Sequence, residues 1–468
     1  MEFREEKDSL GVITVPAHAY WGAQTQRAVE NFPISGLRAK PDLIKAYSHI
    51  KIAAARVNVA AGILDRELGV LIEKAGWAIA EGGLNDHIVV DVFQAGAGTS
   101  FNMNINEVIA NRANELYGAK RGAYQPVHPN DHVNMSQSTN DTFPTAMRLA
   151  GLSATRRLLP ELEELAGAFE DKGREFDEIL KSGRTHLQDA TPVRLGQEFS
   201  AYGLTVRKCS EHLRIESISM AELGIGGTAV GTGLNTPPGF PSSMVEELKK
   251  LTNIQDLVPS LDMREAMQSQ MPLSRTSGAL RNVALELGRI ANDLRLLSSG
   301  PTTGLAEIRL PDLQPGSSIM PGKVNPVMAE CMNMVCFQVI GNDLTISQAV
   351  HAGQMELNVM MPVIIHNLLQ SLDILANMCR AFRQRCVAGI TADPMRCHMY
   401  ATQSLGLATF LSPRLGYETV AKLVQEATEN KANILELIRS RGLLTEEEIR
   451  KLLDPYVITE PGILTRKK

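Results

Sequence analysis

The sequence predicts a mainly α-helical protein whose long central helices pack as a bundle. Three observations carry that prediction. Aromatic residues supply 5% of the 468 positions while Ala, Leu, Met and Ile recur, which favours helices over sandwich strands. Apolar residues return every three or four positions over long stretches. The breaks between those stretches are rich in Gly, Pro, Ser and Thr. A three-part division follows: a mixed, mostly helical region over 1–138, a long-helix body over 139–391 and a small helical tail over 392–468.

Taken in order, the chain opens on MEFREEKDSLG, charged and without the apolar core of a secretory signal. Polar breaks follow at QAGAGTSFN (94–102) and HPNDHVNMSQSTND (128–141). A first seam, Leu158, Leu162, Leu165 and Phe169, predicts a helix with one buried face. After the break SGRTHLQDATP (182–192), a second seam runs through Leu195, Phe199, Tyr202, Val206, Cys209 and Leu213. The break GGTAVGTGLNTPPGFP (226–241) precedes a third, Leu280, Val283, Leu287, Ile290, Leu294 and Leu297. PGSSIMPGKVNP (315–326) precedes a fourth, Ile365, Leu368, Leu372, Leu375, Cys379 and Phe382. A spacing averaging about 3.5 suits near-parallel bundle packing, and these seams are core. Helices of about 25 residues span roughly 40 Å, more than one subunit readily covers, so a homo-oligomer is expected. In the tail, Thr445 followed by Glu448 predicts a capping box.

Composition excludes several classes. A formal net charge of −5 argues against a nucleic-acid partner. No apolar run reaches the ~18 residues of a membrane span. The six cysteines form no CxxC pair, which suits free thiols in a reducing cytoplasm rather than a zinc cage. No His/Asp/Glu constellation suggests a metal, and no cofactor is expected.

Function is therefore sought on the polar loops. Thr99 and Ser100 precede Asn102, Asn104 and Asn106: an anion-binding helix start, or a plain cap. Ser136, Ser138, Thr139, Asn140 and Asp141 offer hydroxyls and an amide to a carboxylate, or an N-cap. Thr185 and His186 sit in a polar loop, and His titrates near neutrality. GGTAVGTGLN lacks the spacing of a dinucleotide or Walker loop and reads as a tight turn. In PGSSIMPGKVNP, Ser317 has no adjacent base. Peptide N–H groups and the Lys323 cation would lower the cost of its alkoxide, while Lys323 and Asn325 would grip a carboxylate. A bare Pro/Gly turn is the alternative.

These stretches together resemble the aspartase/fumarase superfamily. GSSIMPGKVNP (316–326) resembles its signature, and GAGTSFNMN (96–104), VNMSQSTNDTFPTA (133–146), GRTHLQDATP (183–192) and GNDLTI (341–346) fit in the expected order. The likeness runs from AYWGAQTQRAVENFP (19–33) to LLDPYVITEPGI (452–463). It implies a homotetramer with a central helical bundle, active sites shared by three subunits, and reversible anti elimination that releases fumarate from a dicarboxylate. It implies Ser317 as the base. Lys323 and Asn325, helped by Thr139, would hold the α-carboxylate. Thr99, Ser138, Thr139 and Ser318 would cradle the β-carboxylate. Asn140 and His186 would meet the leaving amino group, with His186 as a general acid and Thr185 in support. Thr139 and the stretches 325–343 and 352–362 resemble the members that release ammonia from L-aspartate. HPND (128–131), QDATPVRLGQE (188–198) and GGTAVGTGLN (226–235) are closer to the members that release water from L-malate, and these are expected to lie mostly outside the pocket. The ammonia-releasing reaction is the expectation, fumarate hydration the alternative.

Overall fold

A computed structural model describes residues 2–462; Met1 and the last residues, Ile463 among them, lie outside it. The chain starts with an antiparallel hairpin, β1 (Phe3–Asp8) and β2 (Gly11–Pro16). Arg4 fixes its exit by donating to the carbonyls of Pro16, Ala17, Ala19 and Trp21. Four helices follow: α1 (Ala23–Asn31), α2 (Pro41–Ala60), α3 (Arg66–Ala80) and α4 (Thr99–Tyr117). Pro41 opens α2, where its missing N–H costs nothing. The Asp65 carboxylate caps α3 by accepting from the N–H groups of Glu67 and Leu68.

The long helices are α5 (Thr139–Glu175), α6 (Leu195–Ser217), α9 (Met271–Leu297), α10 (Val327–His351) and α11 (Met361–Arg385), with the shorter α7 (Phe240–Thr252) and α8 (Met263–Gln268) between. α5 alone has 37 residues, roughly 55 Å. All four predicted seams lie on these helices and are buried, apart from half-buried Cys209. Each fully buried Leu, Ile or Phe stabilises the fold by about 1.5–3 kcal/mol over an exposed one. α10 carries no predicted seam because it is apolar on several faces: Met334, Phe337 and Leu344 are exposed while Met332, Cys336 and Val339 are buried.

Among the described residues, four two-stranded sheets accompany the helices. The stretch expected as a loop at 182–192 is instead the hairpin of β3 (Leu180–Thr185) and β4 (Gln188–Arg194). β5 (Glu222–Leu223) pairs in parallel with β6 (Val258–Pro259), and β7 (Ile308–Arg309) antiparallel with β8 (Thr391–Ala392). In the tail, Thr445 and Glu448 form the predicted capping box at the helix Glu446–Leu452. A core of Leu407, Leu411, Leu423, Ile434, Ile438 and Ile449 holds the tail helices.

The chain forms two compact units. The first comprises Met1–Leu159, Glu211–Ala284 and Phe337–Ala376. In it Phe101 packs edge to face on Tyr47 and Phe143, which are tilted to each other; the ring centroids lie 5.2 to 6.1 Å apart and join α2, α4 and α5. The second comprises Pro160–Ser210, Leu285–Cys336 and Asn377–Lys468. Its corresponding cluster is Phe169, Phe176, Phe199 and Tyr202, between the end of α5 and α6.

Candidate active site

In the first unit the candidate residues stand at two helix starts. Gly98, at φ +80°, turns the chain into α4; a Cβ there would lie 2.1 Å from the Phe143 ring, so only glycine lets α4 begin against α5. Thr99 is exposed and caps nothing: its Oγ1 donates weakly to the Gly96 carbonyl, 3.4 Å away. The asparagines after it are polar packing. Asn104 brackets the 87–89 turn through the His87 carbonyl and the Val89 N–H. Asn102 and Asn106, one turn apart on α4, both donate to Asn134.

At the start of α5 the capping reading and the functional one share the same atoms. Ser138 Oγ accepts from the Asn140 N–H, and Asp141 Oδ1 accepts from the Ser138 N–H at 2.9 Å. Asp141 Oδ2 accepts from the N–H groups of Gly226 and Thr228, both at 3.0 Å. Burial pushes the Asp141 carboxyl up to about 6 even so. The Asn140 amide donates to the Ala229 carbonyl at 2.9 Å, which turns its Oδ1 the other way. The glycine-rich stretch 226–235, one of three expected to lie mostly outside the candidate pocket, therefore packs on the start of α5. Its left-handed Gly226, Thr228, Gly231 and Gly233 let it wrap that closely.

In the second unit Thr185 and His186 sit at the tip of the β3–β4 hairpin. Thr185 pairs with Gln188, and the two residues between, His186 and Leu187, have φ of +56° and +58°. That is a two-residue turn of the kind that usually takes Asn-Gly. Holding His and Leu in it costs on the order of 1–3 kcal/mol each, and such strain gathers at functional sites. A buried charge cluster holds the base of the hairpin. Glu307 is fully buried and meets Arg184 at 2.9 Å and Lys181 at 3.0 Å, and Lys181 also reaches Glu198. Burial raises the Glu198 carboxyl, with Lys181 opposing.

Glu307 directly precedes β7, which leads into the serine segment. There Ser317 Oγ accepts from the peptide N–H groups of Ile319 and Met320, at 3.2 and 2.9 Å. The segment is closed into a ring. The Gly316 N–H donates to the Lys323 carbonyl and the Asn325 amide to the Gly316 carbonyl, both at 2.8 Å. Gly316 must be glycine, since a Cβ would stand 2.6 Å from the Lys323 oxygen. One N–H of Asn325 thus serves the ring. Ser318, Ile319 and Lys323 are exposed.

Thr99, Ser138, Thr139 and Asn140 belong to the first unit; Thr185, His186, Ser317, Ser318, Lys323 and Asn325 belong to the second. Sequence reasoning passed over Glu307 and over Lys51 of α2. Lys51 is wholly buried, and burial pushes its ammonium down to about 7. The signal was present: Lys51 stands inside IKIAAA, the one charge in a run that is otherwise apolar.

Known proteins share this chain throughout. The family described as Lyase matches residues 11–341, and the one described as Fumarase C C-terminus matches residues 407–460. An aspartate ammonia-lyase from a Bacillus species is 48% identical over 100% of this chain and 99% of its own length. A fumarate hydratase class II from Bradyrhizobium diazoefficiens is 46% identical over 98% of this chain and 97% of its own. The crystal structure of a fumarate lyase:delta crystallin from Brucella melitensis superposes with a TM-score of 0.95 at 46% identity, over 98% of this chain and 100% of that one.

Proposed function

The chain belongs to the aspartase/fumarase superfamily of lyases, and from that premise we propose that it converts L-aspartate reversibly to fumarate and ammonia by anti elimination. The observation that carries the reading is the pair of N–H groups on Ser317 Oγ. Two donors on one oxygen favour its ionised form, so a serine without a neighbouring base acquires the means to act as one.

Ser317 Oγ takes the proton from Cβ. The C–H electron pair moves into the β-carboxylate, which becomes the doubly charged aci-carboxylate. Thr99, Ser138, Thr139 and Ser318 hold that group, and their contacts strengthen as the second charge develops. The pair then returns to form the C=C bond as the C–N bond breaks and ammonia leaves with its electrons. Lys323, Asn325 and Thr139 hold the α-carboxylate. Asn140 presents Oδ1, an acceptor suited to an ammonium, because its N–H is committed to Ala229. His186, beside Thr185, meets the same group and gives a proton to the ammonia as the C–N bond breaks.

The working enzyme is proposed as a cytoplasmic homotetramer whose active sites draw on three subunits, divided at 138/139 and 391/392. The exposed Leu204 and Ile215 of α6 and Met334, Phe337 and Leu344 of α10 support assembly through the long helices. Six unpaired cysteines suit a reducing compartment.

Fumarate hydratase is the second reading. It is favoured by the contact of the fumarase-like stretch 226–235 with Asn140 and by a fumarate hydratase 46% identical to the chain. Ultraviolet absorbance of fumarate, followed separately with L-aspartate and with L-malate, decides. Fumarate from aspartate and not malate is expected; fast turnover of malate alone would reverse the assignment.

A further inference from the structure

A buried ammonium is stable only where its donors are all met. Lys51 Nζ has three acceptors, and all are amide oxygens: Asn102 at 2.8 Å, Gln137 at 2.9 Å and Asn134 at 3.0 Å. Three acceptors match the three N–H bonds of an ammonium; a neutral amine would turn its lone pair on one of them. The acceptors are placed to matter. Asn102 lies one turn after Thr99 at the start of α4, and Gln137 immediately precedes Ser138 at the start of α5. Asn134 gathers Asn102 and Asn106 onto the same oxygen. Tyr47, one turn earlier on α2, adds its hydroxyl to Asn102 and Thr142. Asp141 is the acid whose charge bears on Lys51, and it is already taken up by three peptide N–H groups.

We propose that Lys51 is a positioning residue for the reaction: one buried cation that fastens the starts of α4 and α5 together and sets a positive charge behind the residues that receive the second carboxylate charge. This rests on the elimination proposed above. A ground-state dicarboxylate gains little from such a charge, whereas the aci-carboxylate gains more, because the low surrounding polarity strengthens the attraction. Lys51 would then act on the turnover rate more than on substrate binding.

The test is Lys51→Met, similar in length and uncharged, in the full-length protein. Turnover, KM and the inhibition constants of two probes are measured. Succinate carries ground-state charge; the nitronate form of 3-nitropropionate carries charge where the intermediate does. A fall in kcat of roughly 30-fold or more is expected, with KM within about threefold, by analogy with loss of one stabilising donor. Inhibition by 3-nitropropionate should weaken by a similar factor and inhibition by succinate by much less. A folded variant with parental kcat, or equal weakening of both inhibitors, would overturn the role and leave Lys51 as structural. Should Lys51→Met not fold, Gln137→Met removes one of the three acceptors, together with the amide N–H bonds to the Val133 and Met135 carbonyls; the same selective loss at a smaller factor is expected, and parental behaviour or equal weakening of both inhibitors overturns the proposal. A parent protein that converts neither L-aspartate nor L-malate would overturn the elimination itself, an outcome distinct from an active parent with an unaffected variant.

Discussion

Replacing Gly316 with alanine tests whether the ring around Ser317 supports its proposed role as the base. The added Cβ would stand 2.6 Å from the Lys323 oxygen, 2.9 Å from the Asn325 nitrogen and 3.0 Å from the Val324 Cα. All three are backbone atoms, so no side chain can swing aside and the ring must part. Parting strains the two bonds that close it, from the Gly316 N–H to Lys323 and from the Asn325 amide to Gly316. At about 1 kcal/mol each, their loss disfavours the closed ring by about 2 kcal/mol, roughly 30-fold in kcat/KM. Because the segment is exposed, the thermal midpoint should hold within about 2 °C. The assay is fumarate absorbance at several substrate concentrations, with the unfolding midpoint measured on the same sample. Activity within threefold of the parent would refute the reasoning, since the ring would then be open or irrelevant.

Ser317→Ala removes the proposed base and should lower turnover by about 10³-fold or more with the oligomer intact by size-exclusion chromatography. Glu307→Gln leaves Arg184 without its buried counter-charge and Lys181 with Glu198 alone, and should cost about 3 kcal/mol in denaturant unfolding. His49 is buried, with Nε2 unpartnered, and burial holds it down to about 4 against an ordinary 6.5. The unfolded chain thus takes up a proton that the folded one refuses between those values. Stability therefore falls as pH drops from about 6.5 to 4, by at most about 3 kcal/mol. His49→Phe should flatten that part of the stability profile; an unchanged slope in urea unfolding at pH 6.5 and 4.5 would contradict it.

The seams were legible because a helix repeats its buried face every three or four residues, and Leu158 through Phe382 repeat accordingly. α10 was not, because a helix apolar on several faces has no single seam. The hairpin at 180–194 was hidden by its polar content: its buried residues include Lys181, paired with Glu198 and Glu307, and Ser182, whose hydroxyl donates to the Gly183 carbonyl. The candidate residues could be named from the sequence, but their hydrogen-bond partners could not. The segment PGSSIMPGKVNP announced a serine but not the Ile319 and Met320 N–H groups on it. The stretch 226–235 gave no hint of touching Asn140, because that contact is a backbone carbonyl and leaves no mark on residue type. Lys51 and Glu307 stood in plain view, yet a charge in an apolar run shows its use only once its partners are known.

With His186 in its proposed role, the strained turn at His186 and Leu187 sets stability against turnover. Leu187 could change to glycine or asparagine by substitution, and either would relax its left-handed backbone and raise the thermal midpoint. The same change would widen the range of directions His186 samples.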